Sequence, residues 1–278
     1  MRTPRINRPN QALHWREPGF ANAEFLSASY RTHSFPPHAH DEFALGVIER
    51  GAQAFLDGDG KRAVMRQGTI CVINPGQFHE GRPAVDGGWD YRMAYLPTSD
   101  LVRLLRESNH KVHGVPHFAE VVIDDVETMG LLLAALRCSE SNDASQLEKT
   151  SRLVAAIFQL FNRHALPPSS AARADVVSGA VKRAREYIDA HVVENPTLDS
   201  IALAAGMSAF HLLREFKRTV GIAPHAYLVQ RRAALAKHLL MQGRPLRQVA
   251  IDVGYCDQAH LSREFRRFFG VPPSIAMR

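Results

Sequence analysis

Cysteine is scarce in this 278-residue chain: Cys71, Cys138 and Cys256 lie far apart, with no C-x-x-C pair among them. That excludes a disulfide framework and a cysteine-based zinc finger. Long apolar runs are missing too. A membrane span needs about 18 consecutive apolar residues, and the best stretch, 129–136, falls far short. The basic opening MRTPRINRPNQALHW has no apolar segment behind it, so no secretory signal is expected. The hydrophobic share of 45% and charged share of 22% are those of a folded chain. What remains is a cytoplasmic protein with no membrane role, long for one domain and suited to two.

Charge is unevenly placed. Residues 171–278 hold 16 Lys+Arg and 9 Asp+Glu, a net +7, and the first 170 hold 18 and 19, a net −1. A basic end joined to a neutral module points to nucleic-acid binding, the other reading being a basic domain that is merely soluble.

The halves part at LPPSSAARAD, residues 166–175, where paired prolines and small polar residues cannot continue a helix and bury little. The expected boundaries are a first domain over 1–165, a linker over 166–176 and a second domain over 177–278. From about Ala23 to Leu96 the runs EFALGVIERG, AQAFLDG, GTICVI and WDYRMAYL are punctuated by Gly and Pro. That is the texture of a small antiparallel barrel or sandwich. Helices are expected after it over 99–108, 126–137 and 146–164. The last carries Val154, Ile157, Phe158 and Phe161 at helical spacing. This stripe is wider than one barrel face needs and predicts a homodimer through the first 165 residues, packing within the domain being the competing use.

The strongest signal is an internal repeat in the basic half. LDSIALAAGM (198–207) aligns with LRQVAIDVGY (246–255) at an offset of 48, and HLLREFKRTVGIAP (211–224) with HLSREFRRFFGVPP (260–273) at 49, so one residue is inserted between the blocks. Each copy reads as a helix-turn-helix. Thr197 suits an N-cap, with Asp199 in the first turn. Ile201, Ala202 and Ala205 form an inward stripe, Gly206 sits where the chain must turn, and Leu212 and Phe216 anchor a second helix. Val249, Ala250, Gly254, Leu261 and Phe265 repeat the pattern, with Pro245 starting the first helix. The free faces of the two second helices carry Arg214, Lys217 and Arg218 in one copy and Arg263, Arg266 and Arg267 in the other. Basic residues on the helix that would enter a major groove favour DNA binding over a plain helical bundle.

These motifs carry a resemblance. GMSAFHLLREFKRTVGIAP and GYCDQAHLSREFRRFFGVPPS, joined by YLVQRRAALAKHLL, strongly resemble the DNA-binding domain of the AraC/XylS family of bacterial transcription regulators, from about Val177 onward. FPPHAHDEFALGVIERG and INPGQFHEG resemble, less specifically, the cupin-like effector-binding and dimerisation domain that many members carry. The resemblance implies an N-terminal all-β cupin-like barrel with accessory helices and a C-terminal all-α tandem helix-turn-helix. It implies a sequence-specific DNA-binding transcription regulator, not an enzyme, controlled by a small-molecule effector, with RNA polymerase as a further partner; activation and repression both stay open. Carried over by position, it makes Phe210, Leu213 and Arg214 base-facing in the first unit, and Gln258, Ala259, Ser262 and Arg263 in the second. Arg214 suits guanine, Gln258 adenine, and Phe210 and Leu213 thymine methyls or sugars. Lys217, Arg218, Arg266 and Arg267 lie toward the helix ends and suit phosphates.

The segment between the repeats, 227–240, reads as a stiff helix of about 21 Å. Leu228, Leu235 and Leu239 mark its buried face. Arg232 on the same side predicts a structural ion pair rather than a base contact.

The first domain holds a constellation of metal-ligand type: His38, His40 and, after P-G-x-x-H, His79. H-x-H on one strand with a third His on a later strand is the cupin arrangement, and imidazoles suit Zn, Fe or Cu. The Glu expected about four residues after H-x-H is missing. Ala44 and Leu45 stand there, and Glu42 follows only two residues on. No cofactor is therefore expected, and a metal-dependent cupin enzyme with an accessory helical domain is the alternative function. His38, His40, Glu42 and His79 are expected to contact an effector, with Arg31, Arg92 and Tyr95 lining the same cavity. Core histidines and exposed strand arginines are the plainer reading.

Overall fold

The computed structural model describes residues 10–20, 23–58, 60–107, 115–166 and 179–276. Among the described residues the chain forms two compact units, one of residues 10–34 and 39–166 and the other of residues 35–38 with 179–276, and nearly all of the expected linker lies outside the described residues.

The first unit contains β1 (Gln11–Trp15), β2 (Glu24–Tyr30), β3 (Phe35–His38), β4 (Glu42–Asp57), β5 (Arg62–Arg66), β6 (Ile70–Ile73), β7 (His79–Pro83), β8 (Trp89–Pro97) and β9 (Val122–Ile123). Its helices are α1 (Thr98–Glu107), α2 (Val126–Glu140) and α3 (Gln146–His164). Strands run in the order β1-β2-β8-β4-β6-β9, while the far half of β4 pairs with β5 and β7, and β3 pairs with β7. Strand β3 is therefore described with the sheet.

Strand β4 joins the two parts of the sheet. Its register against β8 shifts between Ile48 and Arg50, and Gly51 follows at φ +72°. A side chain at Gly51 would run into the carbonyl of Gly88. A bulge followed by a left-handed glycine bends a strand without ending it, and this is how one strand serves two sheets. EFALGVIERG and AQAFLDG are thus one strand of 16 residues, because the glycine that reads as punctuation is a bend. Strands β1 and β9 lie outside the 23–96 stretch, and β9 is too short to show alternation.

Alternation on the strands meets helical periodicity on the helices. Phe43, Leu45 and Val47 of β4, with Phe25, Ile70, Val72, Ala94 and Leu96, face α1 through Leu101 and Leu105 and α2 through Leu132, Ala135 and Leu136. Helix α3 adds Leu153, Ala156, Ile157, Leu160 and Phe161, the i, i+3, i+4, i+7, i+8 stripe of a helix with one buried face. Val154 and Phe158 pack partly against the same core. The stripe expected to build a dimer is therefore taken up inside the domain, because the sheet and α2 together offer more apolar surface than a single barrel face. Asp125 caps α2, accepting from the Thr128 amide at 3.0 Å, and meets Arg163 and His164 at 3.2 and 2.8 Å, tying the end of α3 to the start of α2.

The second unit is helical: α4 (Gly179–Ala190), α5 (Leu198–Ala205), α6 (Ala209–Val220), α7 (Pro224–Met241), α8 (Leu246–Asp252), α9 (Gln258–Phe269) and α10 (Pro273–Ala276). The repeat recurs atom by atom. In α5 the amides of Gly206 and Met207 bond to the carbonyls of Leu203 and Ala202, and in α8 those of Gly254 and Tyr255 bond to Ile251 and Ala250. Both are Schellman closures with a left-handed glycine, at φ +69° and +82°. Ser208 and Asp257 cap the next helices through the His211 and His260 amides, at 3.3 and 2.6 Å. The inserted residue sits in the second turn. Leu212, Phe216 and Leu261, Phe265 are the buried anchors.

The two glycines differ in surroundings. A Cβ at Gly206 would meet only the Arg183 guanidinium at 3.6 Å, whereas one at Gly254 would lie 2.6 Å from the Val193 carbonyl oxygen. Gly206→Ala should cost about 1–2 kcal/mol, the left-handed penalty for a residue with a Cβ. Gly254→Ala should cost clearly more, since backbone must move as well. Urea unfolding of the two variants checks the order, and equal losses would contradict it.

Candidate functional site

Helices α6 and α9 turn the same positions outward. On α6, Phe210 is 77% exposed and Leu213 41% exposed, and Arg214 and Lys217 share their face at i, i+3, i+4, i+7. On α9, Ala259, Ser262, Arg263 and Arg266 occupy the equivalent positions, with Gln258 in the first turn. All are exposed except Ser262, which is half-buried. Large apolar side chains in water are unfavourable, so an exposed Phe210 beside Leu213 marks a contact surface.

Each copy also carries an acidic partner that sequence reading passed over. Glu215 holds Arg218 at 2.9 Å and Glu264 holds Arg267 at 3.3 Å, both at i, i+3. The Arg218 hydrogen bond keeps the Glu215 carboxyl below its usual range. Exposed pairs of this type contribute about 0.2–1 kcal/mol, so they orient the arginines without locking them. Arg214 lies 3.7 Å from the same Glu215.

Helix α7 packs against both copies. Its 18 residues span about 27 Å, longer than the expected 227–240. Leu228 is buried, while Leu235 and Leu239 are half-buried. Arg232 is buried, but it holds no carboxylate among the described residues. Its Nε donates to the Val192 carbonyl at 2.7 Å, and burial lowers its pKa. It closes the turn after α4 against the helix that carries the second copy.

In the first unit, strand alternation divides the residues expected to share one cavity. Tyr91, Met93 and Tyr95 project to one face of β8, and Asp90, Arg92 and Ala94 to the other. Arg92 meets Glu140 of α2 at 2.6 Å and also Glu49, which pairs in turn with Arg137. Arg31 meets Asp90 at 2.7 Å, as does Arg50 at 2.6 Å. Burial works to raise the Asp90 pKa, but hydrogen bonds from Arg50, Arg31 and Ser29 outweigh it and hold the carboxyl at about 2. Both arginines thus serve structural ion pairs on the helix-facing side instead of lining the inner face.

Tyr95 does belong to the inner face. Its ring stands edge-on to His40 at 5.3 Å, and His40 lies 5.0 Å from His79, which stacks on Phe55 at 5.6 Å. The phenols of Tyr30, Tyr91 and Tyr95 are linked by hydrogen bonds, and burial pushes all three pKa values up, so they stay protonated donors. Cys71, pushed up to about 12 by burial, directs its thiol at the Met93 sulfur, 3.6 Å away. His38, His40 and His79 bring one nitrogen each to within 4.8 Å of one another, and burial lowers the His38 pKa. Glu42 is not in that group. It joins through its backbone carbonyl, 3.1 Å from His40 Nδ1.

Residues 20–157 match the family model of the AraC-like ligand binding domain, and residues 201–278 a helix-turn-helix domain. The chain is 29% identical over 229 residues to YbfI of Bacillus subtilis, an uncharacterized HTH-type transcriptional regulator, covering 82% of this chain and 81% of that one. It is 37% identical over 90 residues to the regulatory protein SoxS of Salmonella typhimurium, covering 32% of this chain and 84% of SoxS. Among solved structures, unsaturated fatty acid bound ToxT of Vibrio cholerae shares the fold, with a TM-score of 0.57 at 13% identity over 99% of this chain and 96% of that one.

Positions along α9 imply different losses. Arg263→Ala should cost about 1–3 kcal/mol at a single base pair and relax selectivity there. Arg266→Ala should weaken all sequences alike and lower the salt slope by about one unit. Arg267→Ala should lower it less, since Glu264 already shares its charge. Binding measured across a salt series on a matched and a mismatched duplex separates the three. Unchanged affinity and selectivity in Arg263→Ala would remove α9 as the reader.

Proposed function

Because the chain belongs to the AraC family of transcription regulators, we propose that α6 and α9 read bases in two successive major-groove segments while a small molecule on the inner sheet face sets the activity. The observation that carries the DNA half is positional: Arg214, Lys217 and Arg218 recur as Arg263, Arg266 and Arg267 at one offset, on exposed helix faces. Two equivalent basic faces fixed by one connecting helix suit successive turns of one duplex, about 34 Å apart. Phe210, Leu213, Arg214, Gln258, Ala259, Ser262 and Arg263 are the proposed base contacts. Lys217, Arg218, Arg266 and Arg267 are the proposed phosphate contacts.

The inner face supports the effector half. Hydroxyls of Tyr30, Tyr91 and Tyr95 and the imidazoles of His40 and His79 line an otherwise apolar surface, which suits a small, polar, hydrogen-bonding ligand. The fatty acid of the ToxT structure is a ligand of ToxT, and the hydroxyls and imidazoles on this face favour a different, more polar compound. A cytoplasmic, non-enzymatic activator that works with RNA polymerase is the accompanying proposal. A homodimer is proposed through α2 and α3, where Val126, Leu131 and Leu147 are exposed and would be covered by a second copy.

Selection from a random duplex library tests the reading. The expected result is a motif bound with a Kd of about 10⁻⁸–10⁻¹¹ M that weakens steeply with salt. Affinity no better than for unrelated DNA would overturn it. Sedimentation of the full chain should give a dimer that Leu131→Glu converts to monomer, and a monomeric wild type would remove the dimer.

A further inference from the structure

We propose that the turn Asn74–Gln77 couples the inner face of the first unit to Leu166, the last described residue before the expected linker, with Asn74 as the positioning residue. The inference rests on the regulatory reading above and concerns how occupancy of the inner face is passed on.

The turn is a stiff body attached to both His40 and His79. Pro75 and Gly76 stand at its corners, with Gly76 at φ +74°, as a type II turn requires. The Gln77 amide donates to the Asn74 carbonyl at 3.1 Å, and the Asn74 amide donates to Gln77 Oε1 at 3.1 Å, so the turn is closed twice on itself. The Gln77 carbonyl accepts from Nδ1 of His79 at 2.9 Å, and the Gly76 amide donates to the His40 carbonyl at 2.8 Å. A ligand that rotates the His79 ring therefore pulls on the turn as a whole.

The far side of the turn grips a second stretch of backbone. The Asn74 side chain is buried and brackets Phe118. Its Nδ2 donates to the Phe118 carbonyl and its Oδ1 accepts from the Phe118 amide, each at 2.9 Å. The neighbouring residue, His117, exchanges two hydrogen bonds with Leu166: the Leu166 amide donates at 2.8 Å, and the His117 amide at 3.2 Å. From His79 the contacts run unbroken through Gln77, Asn74, Phe118 and His117 to Leu166.

The last joint is the weakest. Phe118 is 2% exposed, and its ring meets Phe43 at 6.2 Å and Phe161 at 4.8 Å, so it is fixed in the core. Leu166 is 52% exposed, and its pairing with His117 is an isolated bridge. Two hydrogen bonds without a buried side chain open readily, which gives the bridge two arrangements, closed and open. The position of His117 biases the choice, and the Asn74 bracket on Phe118 sets that position.

Amide hydrogen exchange of the full chain, with no ligand added, tests the coupling. Asn74→Ala should speed exchange of the Leu166 amide about tenfold. The amides of β4, and that of Ala165, which donates to the Phe161 carbonyl, should keep their wild-type rates. Asn74→Asp retains the acceptor and loses the donor, so its rate should fall between. His79→Phe keeps a ring and loses Nδ1. It should speed the Leu166 amide in the wild-type background and add nothing in Asn74→Ala. A wild-type rate at Leu166 in both Asn74 variants, an acceleration shared by β4, or a His79→Phe effect of equal size in both backgrounds would overturn the coupling. No DNA enters the measurement, so its failure is distinguishable from failure of the regulatory reading, which the duplex selection decides.

Discussion

Strand β4 holds the first unit together. Its first half pairs with β8 and β6 and its second with β5 and β7, so four strands are registered directly against one backbone and β1, β2, β3 and β9 join through them. The two-residue period along it then does the sorting. Phe43, Leu45, Val47 and Glu49 turn to the helices, and the residues between them turn to the inner face. A slip of one residue would exchange a hydrophobic core for the polar inner face, and this is why the bulge and Gly51 sit where the strand changes sheets.

Order in the second unit comes from local chemistry repeated. Each copy spends its buried face on two anchors, Leu212 with Phe216 or Leu261 with Phe265, which leaves the opposite face of the same helix exposed and basic. Burial on one side is what frees the other. Arg232 contributes a different kind of fixture, a buried cation held by a carbonyl and set beside Gly254. The close backbone approach there explains why this turn, unlike its counterpart at Gly206, has no room for a methyl group.

Much of this was legible in the sequence because its causes lie within a few residues. Caps, left-handed glycines and the 3.6-residue stripe all act locally, so Thr197, Gly206, Leu212 and Phe216 could be placed by spacing alone. The ion pairs could not. Arg92 finds Glu140 from 48 residues away, and only the folded sheet brings α2 over β8. One signal was present and unused: Arg92 and Tyr95 are three apart on one strand, an odd separation that sets them on opposite faces. The width of the α3 stripe misled for a related reason, since the surface that covers it includes α2 and its extent appears only after folding. For the histidines the motif was visible, while the contact of each Nδ1 to a backbone carbonyl, of Pro36 for His38, Glu42 for His40 and Gln77 for His79, depends on how the backbone turns.

Helix α7 is packed into both copies of the repeat, with Tyr227 and Leu228 buried near its start and Ala236 and Leu240 buried near its end. The separation and relative rotation of α6 and α9 are therefore properties of a folded core and are not free to be adjusted from outside. Altering the interval would mean repacking α7. The second unit is in effect a gauge of fixed pitch, and any control exerted through the rest of the chain has to act on whether the gauge is offered to DNA, leaving unchanged what it measures.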